Sequence, residues 1–221
     1  MIHLQNLLFR RTDEFELTIS DLRVNDGERV AIIGPSGSGK TTLIDLIAGI
    51  LTPNKGDIVV AGKDLTRADE TARRRFRIAT IGLVFQRFEL MDYLTVEENI
   101  LLPFLINPAQ PLTPEYRSRA RDLAQSVGLG DQQHRRPDQL SHGERQRVAV
   151  CRALVSQPRL LIADEPTGNL DEETGRSLLD LILAQVDKTS ATLLMVTHDP
   201  SLLANFDRTV DVRDLAAENT P

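Results

Sequence analysis

The chain has 221 residues, of which 41% are hydrophobic and 26% charged, with a formal net charge of -6. That length suits one α/β domain with room for an inserted subdomain, and the acidic balance argues against a general nucleic-acid binder. A lone cysteine, Cys151, excludes an internal disulfide and a cysteine metal cluster, and its setting in "RVAVCRALV" reads as a small buried hydrophobe.

In chain order, "MIHLQNLLFRR" lacks the layout of a signal peptide. No apolar run reaches the ~18 residues that span a membrane; "NILLPFLIN" is short and carries a proline. A cytosolic protein is expected, one that can still sit against a membrane protein. "IHLQN" and "FELTI" alternate like half-exposed strands, and "ERVAIIG" reads as a buried strand. "KTTLIDLIAGI" places Leu43, Ile44, Ile47 and Ile50 at helical spacing. "KGDIVVAGKDL" and "IATIGLVFQ" read as strands, with the charge run "RRRFR" (73–77) between them as solvated surface; "RR" at 135–136 reads the same way. From about 95 to 155 the pattern is helical, in "TVEENILLPFLI", "TPEYRSRARDLAQSVGL" and "GERQRVAVCRALVS". "RLLIADEP" is a strand, "DEETGRSLLDLILAQV" an amphipathic helix, and "ATLLMVTHD" and "RTVDVRDL" are the last strands. The tail "LAAENTP" is expected to fray. Buried strands alternating with helices predict a mostly parallel central sheet. The strand-free middle predicts an inserted helical subdomain.

The chemistry starts with "GPSGSGKTT", Gly34, Pro35, Ser36, Gly37, Ser38, Gly39, Lys40, Thr41 and Thr42, which fits G-x-x-x-x-G-K-[ST] between a strand and a helix. Its backbone N–H groups are expected to wrap a phosphate at a helix N-terminus. Lys40 should reach the β- and γ-phosphates of ATP. Thr41 should bind Mg²⁺ and Thr42 a phosphate. In "LLIADEP" a buried strand delivers Asp164 and Glu165 at its C-terminal end, where open α/β sheets bind ligands. Asp164 is expected in the Mg²⁺ shell, and Glu165 to polarise the attacking water. Gln86 in "VFQRF" is a candidate for the metal or the water. His198 in "VTHD" is a candidate donor to the γ-phosphate. "GNLD" (168–171) puts Asp171 close behind Glu165. "LSHGERQRVAV" (140–150) sets a small polar residue and a glycine ahead of a helix, a second way of building a phosphate site.

The order phosphate loop, Gln86, "LSHGERQR", "LLIADEP", "NLD", "TH" resembles the ATP-binding cassette ATPases, the motor subunits of ABC transporters, over essentially the whole chain. The resemblance implies an α/β P-loop NTPase fold with a mostly parallel central sheet, an N-terminal antiparallel β part and an inserted helical subdomain. It implies one domain over 1–221. Residues 1–86 and 157–221 would form the nucleotide-binding core, and 87–156 the helical subdomain with the signature motif. Two copies are expected to pair head to tail, with Ser141 and Gly143 of one contacting the γ-phosphate held by Lys40 of the other. The cofactors implied are ATP and Mg²⁺, with Thr41, Gln86 and Asp164 on the metal and Asp171 at the nucleotide. The other partner implied is an integral membrane permease, reached from the cytoplasmic face of the inner membrane. Nucleic acid is not expected, and membrane contact comes only through the permease.

Two departures stand out. His142 occupies a position where the family usually has glycine. The family stacks an aromatic on the adenine, and its position falls near Arg11, with Phe9 and Phe15 the nearest aromatics; this contact stays open. "VFQRFELMDYLTVEENILLPFL" and "LSHGERQRVAVCRAL" resemble the lipoprotein-release and macrolide-exporter group. That resemblance places Phe88, Leu90, Met91 and Tyr93 in a groove for a permease helix; otherwise they are core of the helical subdomain. Export or extraction of an envelope substrate is the function implied. The alternative is a regulatory cassette of a cell-division-type complex that controls cell-wall hydrolases. A soluble cassette acting on ribosomes or DNA usually carries two cassettes or a coiled-coil insertion, and this chain has neither.

Overall fold

The structure is a computed structural model that describes residues 1–12, 15–86, 88–107, 110–168 and 170–216, with Thr12 described by its backbone. Asn169 of the expected turn and residues 217–221 of the tail lie outside the described residues. In chain order the elements are β1 (Ile2–Thr12), β2 (Phe15–Val24), β3 (Arg29–Ile33), α1 (Lys40–Ile47), β4 (Lys55–Val60), β5 (Lys63–Asp64), α2 (Glu70–Thr80), β6 (Ile81–Val84), α3 (Val96–Leu105), α4 (Pro114–Ser126), α5 (His142–Leu154), β7 (Leu160–Asp164), α6 (Glu172–Thr189), β8 (Thr192–Val196) and β9 (Arg208–Asp211). Short 3-10 turns occupy 130–132, 137–139, 200–205 and 212–215. No helix among the described residues is long and apolar enough to cross a membrane.

The chain forms two compact units, residues 1–77 with 192–221, and residues 78–191. In the first, an antiparallel sheet runs in the order β2-β1-β4-β5. The inward residues of β1 switch register from Ile2 and Leu4 to Leu7 and Phe9. The switch falls at Asn6, whose φ is 48°, where the pairing with β4 shifts. A bulge of this kind re-aims the side chains that follow it, which is why the alternation in the sequence is clear only in places. The same unit holds β3 between β8 and β9, both parallel to it. Val30, Ala31 and Ile32 of β3 and Leu193 to Val196 of β8 are wholly buried, as parallel strands covered on both faces require.

In the second unit β6 pairs parallel with β7. No strand lies between them among the described residues; α3, α4 and α5 fill that stretch. α5 buries Val148 to Leu154 and packs against β6 and α3. Gly82 permits this approach, since a Cβ there would come within 2.3 Å of the Ala153 carbonyl oxygen. α3 opens on a reciprocal cap between Thr95 and Glu98 and runs through Pro103 near its end.

Four readings of the sequence need correction. The strand expected in "KGDIVVAGKDL" is split by a turn at Ala61 and Gly62, both at positive φ, into β4 and β5. Ile50, expected on the helix, lies beyond the end of α1 and is 40% exposed. "IATIGLVFQ" was expected to be strand throughout, but Ile78 to Thr80 finish α2. This helix buries no residue, and the arginines of the 73–77 run dominate it, so its few apolar positions do not stand out as a core-facing face. Backbone bonds hold it instead: the Asp69 carboxylate accepts from the Ala72 N–H at 2.7 Å, and Arg77 donates to the carbonyls of Ala48 and Gly49 at 3.2 Å each. "RTVDVRDL" was expected as one strand, but β9 stops at Asp211. The Asp211 carboxylate accepts from the Arg213 N–H at 2.9 Å and starts the turn Val212–Leu215.

Candidate nucleotide site

In the first unit the phosphate loop leaves β3 at Gly34 and enters α1 at Lys40. Gly39 stands before the first helical residue with φ 97° and ψ 12°, a left-handed conformation that glycine adopts without strain. No side chain caps α1 and its first turn holds no acidic residue. Its leading N–H groups are therefore left for an anion. Lys40 Nζ donates to the carbonyls of Gly34 and Pro35, each at 2.8 Å, which keeps the ammonium at the loop. Ser38 Oγ is buried and has no hydrogen-bond partner among the described residues. An orphaned hydroxyl, a tethered ammonium and an uncapped helix end together fit a phosphate chain. Thr41 is exposed and Thr42 half-buried on the first turn of α1.

Parallel pairing matches Ile32 of β3 with Val196 of β8, and the Thr197 N–H donates to the Ile32 carbonyl at 3.2 Å. His198 and Gly34 thus emerge at the same end of adjacent strands. Asp211, at the end of the neighbouring β9, comes within 3.5 Å of where a Cβ on Gly34 would stand. Hydrogen bonds from Arg213 hold its carboxyl below the usual range, and the Lys40 charge adds to this. Of the residues considered for the base, Phe9 is buried in β1 and Arg11 is exposed. Phe15 Cζ comes within 3.3 Å of where a Cβ on Gly39 would stand, so its ring borders the phosphate loop.

In the second unit, pairing matches Val84 of β6 with Ala163 of β7. Gln86 therefore leaves β6 at the end where Asp164 and Glu165 leave β7. Asp164 is buried and Glu165 half-buried. Glu165 has φ 50°, a left-handed conformation that costs a non-glycine residue about 1–3 kcal/mol. The buried Gln146 of α5 donates to the Glu165 carbonyl at 3.3 Å and to that of Pro166, and the Gly168 N–H donates to the Glu165 carbonyl at 3.2 Å.

The signature segment begins α5 in the same unit. Ser141 Oγ accepts from the Glu144 N–H at 3.2 Å, while the Glu144 carboxylate accepts from the Ser141 N–H at 2.7 Å. This capping box holds the Glu144 carboxyl below its usual range, the Ser141 backbone bond contributing most. The Ser141 hydroxyl adds to this lowering, and Ser141 is exposed. A Cβ on Gly143 would come within 2.9 Å of Leu170 Cδ2, so glycine suits the site sterically. Asp171 caps α6: its carboxylate accepts from the Thr174 N–H at 2.9 Å, and that bond leads in lowering its pKa. Phe88 is buried and Tyr93 is 71% exposed, with Leu90 and Met91 between these extremes. Cys151 is fully buried, and desolvation pushes its thiol up to about 12.

Lys40, Thr41 and His198 thus belong to one unit, and Gln86, Asp164, Glu165, Ser141 and Gly143 to the other. Sequence reasoning missed Gln146 and Arg152. Arg152 is 8% exposed and its guanidinium donates to the carbonyls of Phe88 and Glu89, the latter at 2.6 Å. Burial lowers its pKa to about 10, which leaves it charged at neutral pH. Among the described residues no three His, Cys, Asp or Glu side chains gather to hold a metal.

Residues 17–168 match the family described as ABC transporter. The chain is 44% identical over 193 residues to the lipoprotein-releasing system ATP-binding protein LolD of Pseudomonas fluorescens, covering 87% of this chain and 84% of that one. It is 46% identical over 191 residues to an uncharacterized ABC transporter ATP-binding protein of Mycobacterium tuberculosis, covering 85% and 75%. Among solved structures it superimposes on a dimeric post-hydrolysis state of the ATP-binding cassette MJ0796 bound to ADP and Pi, with a TM-score of 0.89 and 31% identity over 99% of this chain and 97% of that one. The parallel and antiparallel strands, the phosphate loop and these relatives lead to one conclusion: the chain belongs to the ABC transporter family, as an ATP-binding ATPase cassette.

Proposed function

We propose that this cassette hydrolyses ATP as one half of a head-to-tail homodimer and so drives a conformational change in an integral membrane permease, for export or extraction of an envelope substrate. The observation that carries the reading is the start of α5. There an exposed serine caps the helix and a glycine stands in its first turn, in a chain that already has a phosphate loop on α1. Two phosphate-directed helix ends per chain and one nucleotide per loop call for a partner copy. The dimeric MJ0796 structures and the LolD relatives support this reading. The cassette would work on the cytoplasmic face of the membrane through its permease. Residues 87–156 would be the helical subdomain, and 1–86 with 157–221 the nucleotide-binding core.

Each residue then has a stated task. Gly34 to Gly39 wrap the phosphates with N–H groups, and Thr42 adds a contact. Lys40 exchanges its carbonyl partners for the β- and γ-phosphates. Glu165 orients and polarises the attacking water, and His198 donates to the γ-phosphate. Ser141 and Gly143 receive the γ-phosphate of the partner's nucleotide, and Asp171 lies near the shared site. Thr41, Gln86 and Asp164 offer two neutral oxygens and one carboxylate, a donor set that suits Mg²⁺ shared with nucleotide phosphates. Bound there, the ion would neutralise phosphate charge. Catalysis is by positioning and electrostatics.

The test is Glu165→Gln. The variant should bind ATP, lose at least about a hundredfold in turnover, and accumulate as a dimer in ultracentrifugation. Tagged and incubated with ATP in detergent-solubilised membranes, it should co-purify with a polytopic protein bearing a large extracytoplasmic domain. Recovery of a division-type permease with cell-wall hydrolases would move the function to regulation. Soluble partners alone would remove the permease.

A further inference from the structure

The family resemblance leaves His142 as a side chain at the mouth of a phosphate site. The structure shows where that side chain goes. The His142 imidazole meets the Phe88 ring edge to face, with centroids 4.6 Å apart and planes at 68°. His142 is the first residue of α5 and is exposed, whereas Phe88 is 8% exposed. The partner ring is rigidly mounted. Phe88 and Glu89 have φ of 58° and 49°, two successive left-handed residues. The buried guanidinium of Arg152 binds both their carbonyls, and the Phe88 N–H donates to the Phe85 carbonyl at 3.1 Å.

The direction of helical side chains makes this placement matter. Side chains on a helix lean towards its N-terminus. An imidazole at the first helical position, with nothing to hold it, therefore sweeps across the helix end. The capping box takes the Glu144 N–H, so an anion there would have to use the N–H groups of His142 and Gly143. Contact with Phe88 restrains the ring from that sweep.

We propose that Phe88 is a positioning residue for the second phosphate site: it holds His142 aside so that the partner's nucleotide can reach the start of α5. The inference rests on the shared-site reading above. It assigns Phe88 no contact with nucleotide.

The test uses the full-length Glu165→Gln chain and ATP, with dimerisation read by ultracentrifugation. Phe88→Leu keeps an apolar side chain in the turn and removes the ring; thermal melts check that each variant is folded. A ring pair of this kind favours one rotamer by about two- to tenfold, and each dimer contains two such sites. Phe88→Leu should therefore weaken dimerisation by about fivefold or more. Adding His142→Gly should restore the parental strength, because no imidazole is left to obstruct the helix end. A purely structural role for Phe88 predicts no such rescue. A double variant as weak as Phe88→Leu overturns the proposal, and so does Phe88→Leu at parental strength. If Glu165→Gln itself stays monomeric with ATP, the shared-site reading falls, and this assignment falls with it.

Discussion

Glu165 is held in a strained conformation with help from the Gln146 side chain. Its left-handed φ leaves the carbonyls of Glu165 and Pro166 pointing where Gln146 Nε2 can bind both. Gln146→Leu keeps the bulk and deletes the donor. With Glu165 in its proposed role of polarising the attacking water, misplacing it by about 1 Å costs around a hundredfold, so kcat should fall roughly ten- to hundredfold while KM for ATP barely moves. Steady-state ATPase assays check this; a rise in KM with kcat intact would place Gln146 elsewhere in the reaction. Gln146 had a faint signal in the sequence. It shares the buried face of α5 with Ala149, Val150 and Ala153, a polar residue where the helical period asks for an apolar one. Arg152 had no signal, because its acceptors are main-chain carbonyls 63 and 64 residues away. The phosphate loop and the carboxylates after β7 were legible because their chemistry is local: a few residues at fixed spacing between a strand and a helix. The place of His142 was not, since it depends on a ring delivered by a distant turn.

At the scale of elements, the strongest local signals were those with a buried face. β3, β7, β8 and α5 stand where their apolar residues put them, and α1 does so as far as Ile47, short of Ile50. α2 escaped because its arginines outweigh its few half-buried apolar residues, and β1 was blurred by its bulge. Caps set helix starts as firmly as the apolar faces do. α3 begins at a full capping box, in which the Thr95 side chain accepts from the Glu98 N–H at 3.2 Å and the Glu98 carboxylate accepts from the Thr95 N–H at 2.8 Å. Thr95→Ala should cost about 1 kcal/mol, a fall of roughly 2–4 °C in Tm for a chain of this size. The caps also set an acid limit. Hydrogen bonds from the Thr95, Ser141 and Thr174 segments hold the carboxyls of Glu98, Glu144 and Asp171 below their ordinary values. Folded values lower than unfolded ones mean that the unfolded chain binds more protons in acid. The stabilisation is present above the unfolded values, near pH 4, and drains away as pH falls through the folded ones. Melting curves from pH 7 to pH 3 should show Tm steady at first and falling below about pH 4. Thr95→Ala should fall less steeply, having lost the Thr95 hydroxyl that donates to the Glu98 carboxylate at 3.0 Å.

At the scale of the molecule, the phosphate loop before α1 lies on the first unit, and the start of α5, proposed to meet the partner's nucleotide, lies on the second. A cassette that used both on its own nucleotide would lose all activity when either end was damaged, and mixing two damaged chains would restore nothing. A head-to-tail pair behaves differently. Lys40→Ala disables the phosphate loop, and Ser141→Arg fills the start of α5 with a long charged side chain. Each homodimer has both of its sites broken, by one defect or the other. A mixed dimer concentrates both defects in one site and leaves the other whole, because the intact loop of the Ser141→Arg chain faces the intact signature of the Lys40→Ala chain. Half the dimers in an equal mixture are mixed, and each has one of two sites working, so about a quarter of the parental ATPase should return. Neither variant alone should exceed background. The dependence on mixing ratio is itself diagnostic, since activity should peak at equal amounts and fall on either side. Mixtures that stay inactive at every ratio would mean that two whole sites are needed for turnover, or that the nucleotide is not shared. ATP-dependent dimerisation of Glu165→Gln separates those two outcomes.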